Sequence, residues 1–316
     1  DKTTRITIQP SLSVNNTNST NTENTVSTDE DGNLINSSTS LQTSDGFQRN
    51  FRNRLEVMKK LDTLGGYVRV YFENNNRVND SESLLNSQRN IFGDNPSEQL
   101  QDQQTLVDNA NNSYELGASY RYKLNKDYYL DARYSYNHNQ QNNERSVSDF
   151  DEVTGEYVYN SSLSSDFDFK ANKHIPQIGV GSNGKKFRFN FRVRLEQINL
   201  DNQDFIQSTS FSKDYSKLLF SSYANYTIGN SKRLSVHYNT NLNVPSVTQL
   251  QPVPNVSNPL NIIVGNPNLD PSINHNVYLN YNDYNWKERT GIFMYSGISV
   301  EEDKIVSNTT TDADFI

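Results

Sequence analysis

Tyr114-Glu-Leu-Gly-Ala-Ser-Tyr-Arg-Tyr-Lys-Leu124, then Asn125-Lys-Asp127, then Tyr128-Tyr-Leu-Asp-Ala-Arg-Tyr-Ser-Tyr136 is the stretch that decides the fold. Leu116, Ala118, Tyr120, Tyr122 and Leu124 share one parity. Glu115, Gly117, Ser119, Arg121 and Lys123 share the other. A helix would scatter these apolar residues around its axis, whereas a strand collects every second side chain on one face. After a turn at Asn125–Asp127 the pattern resumes. Leu130, Ala132, Tyr134 and Tyr136 now interleave with Asp131, Arg133 and Ser135.

Outward from this hairpin the same period recurs. Phe187, Phe189, Phe191, Val193 and Leu195 interleave with Arg188, Asn190, Arg192, Arg194 and Glu196. Leu218, Phe220, Ala224, Tyr226 and Ile228 lead to a turn at 229–231, and Leu234, Val236 and Tyr238 return. Leu55 and Val57 are answered by Val68, Val70 and Phe72. Val277, Leu279 and Tyr281 precede a last strand with Ile292, Met294, Ile298 and Val300.

Composition narrows what such strands can build. Of 316 residues only 33% are hydrophobic, too few for an ordinary globular core, which draws on nearly half. Yet 19 Tyr and 15 Phe argue against a disordered chain, which is poor in aromatics. A membrane barrel reconciles the two, because only alternate residues of its wall meet lipid and the rest meet water. The net charge of −8 disfavours nucleic acid as a partner. The absence of Cys fits passage through an oxidising compartment, although that weighs little. No apolar run is long enough for a membrane-spanning helix.

Connections fall into two classes. Short turns are expected near 62–66, 125–127, 182–185, 229–232 and 285–288. Long polar loops are expected near 14–40, 75–108, 139–162, 201–213 and 244–271. This rhythm predicts an all-β fold: an antiparallel up-and-down transmembrane β-barrel fragment of about eleven long strands, with short periplasmic turns and long extracellular loops. Residues 1–316 then form one partial barrel domain. The lipid face carries the Phe187–Phe191 and Tyr120–Tyr122 rows, and Tyr near strand ends supplies the interfacial girdle. A soluble sandwich or barrel shares the alternation, but its strands are usually shorter.

The segment 239–271 is more specific. It reads Asn239-Thr-Asn-Leu-Asn-Val-Pro245-Ser246-Val-Thr-Gln249-Leu250-Gln-Pro252, then Asn258-Pro259-Leu260, then Gly265-Asn266-Pro267-Asn-Leu269-Asp-Pro271. This resembles the TonB-dependent receptor-like outer-membrane barrels of Bacteroidetes-type bacteria. There a Pro-Ser element ends one strand, and Gly-Asn-Pro-x-Leu-x-Pro opens the next. That family often has Arg before the Pro-Ser pair; here Val244 stands there. Pro245 stops a ladder because it lacks an N–H, and Gly265 and Asn266 tolerate unusual backbone angles. The motif is therefore read as structural.

The resemblance implies localisation in the bacterial cell outer membrane. It also implies uptake of an unidentified ligand that meets the extracellular loops, with outer-membrane lipid around the wall. The family's barrels have about 22 strands around an N-terminal plug that a TonB complex pulls. No plug or TonB box is visible in these residues, so both ends are read as truncations inside such a barrel. Two other readings stay open: a non-transporting surface adhesin or scaffold barrel, and a secreted soluble all-β binding protein.

No catalytic residues, metal ligands or cofactors are expected. Gly179-Val-Gly181-Ser-Asn-Gly184-Lys185-Lys186 matches a nucleotide-loop pattern, but an alternating strand follows where a helix is required, so it reads as a hairpin turn. Asp29-Glu-Asp31-Gly32-Asn33 and Asp149-Phe-Asp151-Glu152 resemble fragments of a calcium loop. Both lack its final bidentate Glu and read as acidic turn tips. His138, His174, His237 and His275 form no close ligand pair.

Overall fold

The computed structural model describes residues 2–92, 96–206, 208–229, 231–250, 264–285 and 287–310. They form one antiparallel sheet. Its strands are β1 (Thr4–Thr28), β2 (Leu34–Lys60), β3 (Tyr67–Ile91), β4 (Ser97–Lys123), β5 (Tyr128–Asp151), β6 (Glu156–Tyr159), β7 (Ser165–Asn183), β8 (Phe187–Asp204), β9 (Thr209–Ile228), β10 (Lys232–Asn243), β11 (Ser272–Asn285) and β12 (Thr290–Glu302). Eleven follow one another in chain order along the sheet, and the four-residue β6 pairs only with β5. The up-and-down order is the expected one. The described sheet has two edges, β1 and β12, each paired on one side.

The short turns fall at the expected places. Asp62 Oδ1 accepts from the backbone N–H groups of Leu64, Gly65 and Gly66 at 2.8–2.9 Å. Gly65 has φ 102°, a conformation that a side chain would strain. Asn125 Oδ1 likewise accepts from Asp127 and Tyr128 at 2.9 Å. Strands β7 and β8 meet through a tight turn at Gly184, so the nucleotide-like pattern is indeed a hairpin.

The other end corrects the reading from sequence. Most of 14–40, 75–108 and 139–162, expected as loops, is strand, and so is part of 201–213. β2 and β4 each run 27 residues, and β1 and β3 each run 25. About ten residues suffice to cross a bilayer core in a tilted strand. At about 3.3 Å per residue, β4 therefore continues roughly 55 Å beyond it along the strand. These extensions are rich in Asn, Gln, Ser and Thr. They remain strands because β2, β3 and β4 each run between neighbours of nearly equal length and pair with both, β1 pairs along its whole length with β2, and side chains add bonds across the ladder. Ser83 bonds Ser44 at 3.0 Å, Gln104 bonds Glu82 at 2.7 Å, and Gln140 bonds Asp168 at 3.1 Å. Where water lies on both faces there is no hydrophobic alternation to mark the strand.

Candidate functional site

Near the short-turn end the two faces differ sharply. One carries continuous apolar rows across the strands: Leu55, Phe72, Leu116 and Tyr136 in one register, and Tyr122, Leu130, Val180 and Phe191 in another. Although apolar, these residues are open. Tyr122 is 51% exposed, Phe187 48% and Ile178 68%. A contiguous apolar face of this size in water would be a strong aggregation surface; against hydrocarbon it is the stable arrangement.

The opposite, inner face is a lattice of charges. Arg54 bridges Glu73 at 2.5 Å and Glu56 at 2.9 Å. Arg121 reaches both oxygens of Asp131 at 2.7 and 3.0 Å, and Arg133 reaches Glu115 at 3.3 Å. Tyr71, only 3% exposed, lies among the guanidinium groups of Arg54, Arg69 and Arg133, each 5.3–5.6 Å from its ring centre. Its hydroxyl bonds Glu115 and Arg133. Tyr71 can lie flat because Gly117 opposes it; a Cβ there would overlap the ring. Tyr129 lies over Gly181 in the same way, with Arg121 4.0 Å above its ring centre. Sequence reasoning placed these Arg and Lys residues toward water but missed their partners. The signal was available as Glu and Asp of the same parity on neighbouring strands.

The two described limbs of the segment between β10 and β11, residues 244–250 and 264–271, form a strap seated on this inner face. Pairing of β9 with β10 ends at Ser221 and Asn239. There the Thr240 hydroxyl accepts from Phe220 N–H at 2.8 Å and donates to Phe220 C=O at 3.1 Å, taking the place of a backbone partner. β10 peels away, and Pro245 leads into one helical turn, α1 (Val247–Leu250). Ser246 and Gln249 cap it reciprocally. Ser246 N–H donates to Gln249 Oε1 at 2.9 Å, and Gln249 N–H donates to Ser246 Oγ at 3.3 Å. Leu250 is fully buried against Phe169, Ala171, Ile198, Leu200 and Tyr215.

The return limb is tied down. Asn266 N–H donates to Gln249 C=O at 2.6 Å, and Tyr215 hydroxyl donates to Leu269 C=O at 2.9 Å. Pro271 is fully buried at the start of β11. Gly265, Pro267 and Leu269 are half-buried on this limb. Pro252, Asn258, Pro259 and Leu260 lie outside the described residues.

Beyond the apolar band the face that would meet lipid becomes acidic. Asp80, Asp108, Glu144 and Asp166 stand directly opposite one another on β3, β4, β5 and β7. Directly opposed like charges destabilise a sheet unless water screens them, so this row marks wall that has left hydrocarbon behind. Asp29 closes the β1–β2 tip; the Asn33 side chain and then its N–H hold its carboxyl below the usual range. The histidines take part in ring contacts, as His138 with Tyr114 and His237 with Tyr223. No grouping of three or more potential metal ligands occurs among the described residues. The tips of the two acidic segments are turns, with Asp149 and Asp151 themselves on β5.

The outer membrane protein beta-barrel family matches residues 59–314, so the chain belongs to that family. It therefore resides in the bacterial outer membrane, with its short turns in the periplasm and its long strand extensions outside. Among solved structures it is similar to the ferric citrate transporter FecA (10% identity, TM-score 0.45, covering 87% of this chain and 49% of that one). It is similar also to the copper transporter OprC (9% identity, TM-score 0.48, 95% and 54%). A third is the ferripyoverdine receptor of Pseudomonas aeruginosa (9% identity, TM-score 0.43, 95% and 48%). The chain spans about half the length of each. No curated protein matches it.

Proposed function

We propose that residues 1–316 form one partial wall of a ligand-importing receptor of the TonB-dependent kind. The observation that carries this is the inner face. Nothing in a purely structural wall calls for a lattice of guanidinium–carboxylate pairs facing a water-accessible interior, with a strap seated on that face through Leu250. Exposed ion pairs add little stability, about 0–1 kcal/mol each, so the lattice is better suited to holding side chains in defined positions along a path for solute. In this reading the ligand meets the outer strand extensions first, and a TonB complex acting through a plug supplies the energy. The motif Pro245–Pro271 positions the strap. No catalysis is assigned.

The second reading, a surface adhesin or scaffold, draws on the length of β1–β5 beyond the membrane. The two part on energetics. Cells carrying the full-length protein should accumulate a labelled ligand in a manner abolished by a protonophore and by deletion of the gene. Surface binding that persists unchanged when the proton gradient is dissipated, with no internalised label, would sink the import reading.

A further inference from the structure

Beyond the hydrocarbon the outward face of β2–β5 is not uniformly polar. One row holds Phe47, Asp80, Asp108 and Glu144, and the next row up holds Asp45, Glu82, Leu106 and Ser146. Together they line a depression of about 870 Å³. From Leu106 the apolar surface climbs to Leu84 on β3 and then Leu41 on β2, one row higher each time. Phe47, Leu106, Leu84 and Leu41 are all 39–46% exposed. Leu106 lies roughly 25 Å along β4 from Tyr114, so lipid does not cover this surface and it is reached from outside the cell.

Carboxylates are treated differently on the two sides of the wall. On the inner face Glu56, Glu73, Glu115, Asp131 and Glu196 each meet an arginine. In the depression Asp45 accepts from Asn18 and Glu82 accepts from Gln104, both neutral amides. Among the described residues no ion pair reaches Asp45, Asp80, Glu82, Asp108 or Glu144. All of these but Asp80 are exposed. Five negative charges without a counter-charge thus frame a line of open apolar side chains.

Complementarity selects the occupant. Phosphates of a lipid surface would set negative charge against negative charge. So would a second copy of this chain, because a two-fold contact brings the same row against itself. A small cation would use the carboxylates and leave Phe47, Leu106, Leu84 and Leu41 in water. A polypeptide segment with Lys or Arg around large apolar side chains uses both, and an apolar centre within a polar rim is the usual anatomy of a protein interface.

We propose that this depression docks a cationic, amphipathic segment of another protein at the cell surface. Leu106 is its central anchor, with Asp108 one row below on the same strand. Docking there uses the outside of the wall, so it does not rest on the import reading and leaves the inner face free.

The test uses the full-length protein in nanodiscs of uncharged phosphatidylcholine. The probe is the hexapeptide KLKKFK, compared by calorimetry with hexalysine and with ELEEFE. KLKKFK is expected to bind saturably, hexalysine at least tenfold more weakly, and ELEEFE not at all. Leu106→Arg should weaken KLKKFK binding at least tenfold, and so should Asp108→Asn combined with Glu144→Gln. Asp151→Asn combined with Glu152→Gln removes the same charge at the tip of β5 and should leave binding unchanged. Heat-modifiable gel migration verifies that each variant is folded. Absence of saturable KLKKFK binding overturns the proposal, as does equal binding of hexalysine or an equal loss in the Asp151/Glu152 variant. Release of the peptide by magnesium, but not by sodium chloride of the same ionic strength, would give the row to a divalent ion and overturn it too.

Discussion

Leu116 and Leu106 lie on the same face of β4 with nearly the same openness, 52% and 46%, yet they inhabit different media. Around Leu116 the neighbours across the ladder are Phe72 and Tyr136; around Leu106 they are Glu82 and Ser146. The backbone is the same continuous strand in both places. The comparison teaches that in this wall exposure does not report environment, and that the identity of cross-strand partners does. The lower part is held by lipid on one face and an ionic lattice on the other. The upper part is held chiefly by its ladders, with one small apolar cluster under the strap.

The sharpest way to break this comparison is to place the same charge at both heights. Leu116→Arg should destabilise the barrel by about 2–4 kcal/mol in a bilayer, whereas Leu106→Arg should lie within about 0.5 kcal/mol of the parent. Equilibrium urea unfolding from lipid vesicles measures both. Equal effects would mean that the boundary between hydrocarbon and water is misplaced.

Next in size is the strap. Leu250→Ala removes the side chain that fills the apolar cluster and should cost about 2 kcal/mol, the low end for such truncations because a strap can settle into the gap. Limited proteolysis should then cut within 244–271 faster than in the parent. An unaltered cleavage rate would show that the strap is held by its hydrogen bonds alone.

Two glycines make a smaller contrast. A Cβ on Gly117 would overlap the Tyr71 ring, whereas one on Gly46 in the outer extension meets chiefly the movable hydroxyl of Thr17. Gly117→Ala should therefore lose about 1–2 kcal/mol and Gly46→Ala close to nothing, read by thermal melting in micelles. A loss shared by both would point to backbone effects instead of the Tyr71 contact.

The smallest effect is one of pH. The Gly66 N–H, with those of Gly65 and Leu64, holds the Asp62 carboxyl below its ordinary value. The folded value is the lower one, so this contribution is present above about pH 4 and is lost as pH falls through it. The stability gap between the parent and Asp62→Ala should be constant from neutral pH to about pH 5 and close under stronger acid. A gap that widens on acidification would contradict the turn geometry.

How much of this was legible follows from the same contrast. Leu116 to Leu124 and Phe187 to Leu195 revealed strand, face and turn, because lipid on one side imposes apolar residues at every second position. Segment 75–91 revealed nothing of its strand: with water on both sides Asn74 to Asn79 obey no alternation, and polarity alone reads as loop. Of the motif, Pro245 and Gly265 announced where regular pairing ends. That Leu250 turns inward to a cluster supplied by Phe169, Leu200 and Tyr215 depends on registers between strands far apart in sequence, which one chain read linearly does not expose.

The described strands are longest at one end of the sheet, up to 27 residues in β2 and β4, and shortest at the other, 12–14 in β10–β12. The rim is accordingly sloped, a tall palisade on one side and a low sill on the other. On the tall side the ladders carry backbone and side chains far from the hydrocarbon, whereas on the low side the described strands stop close to it. Lengthening β11 and β12 to the height of β4 would level the described rim without altering the band that faces lipid.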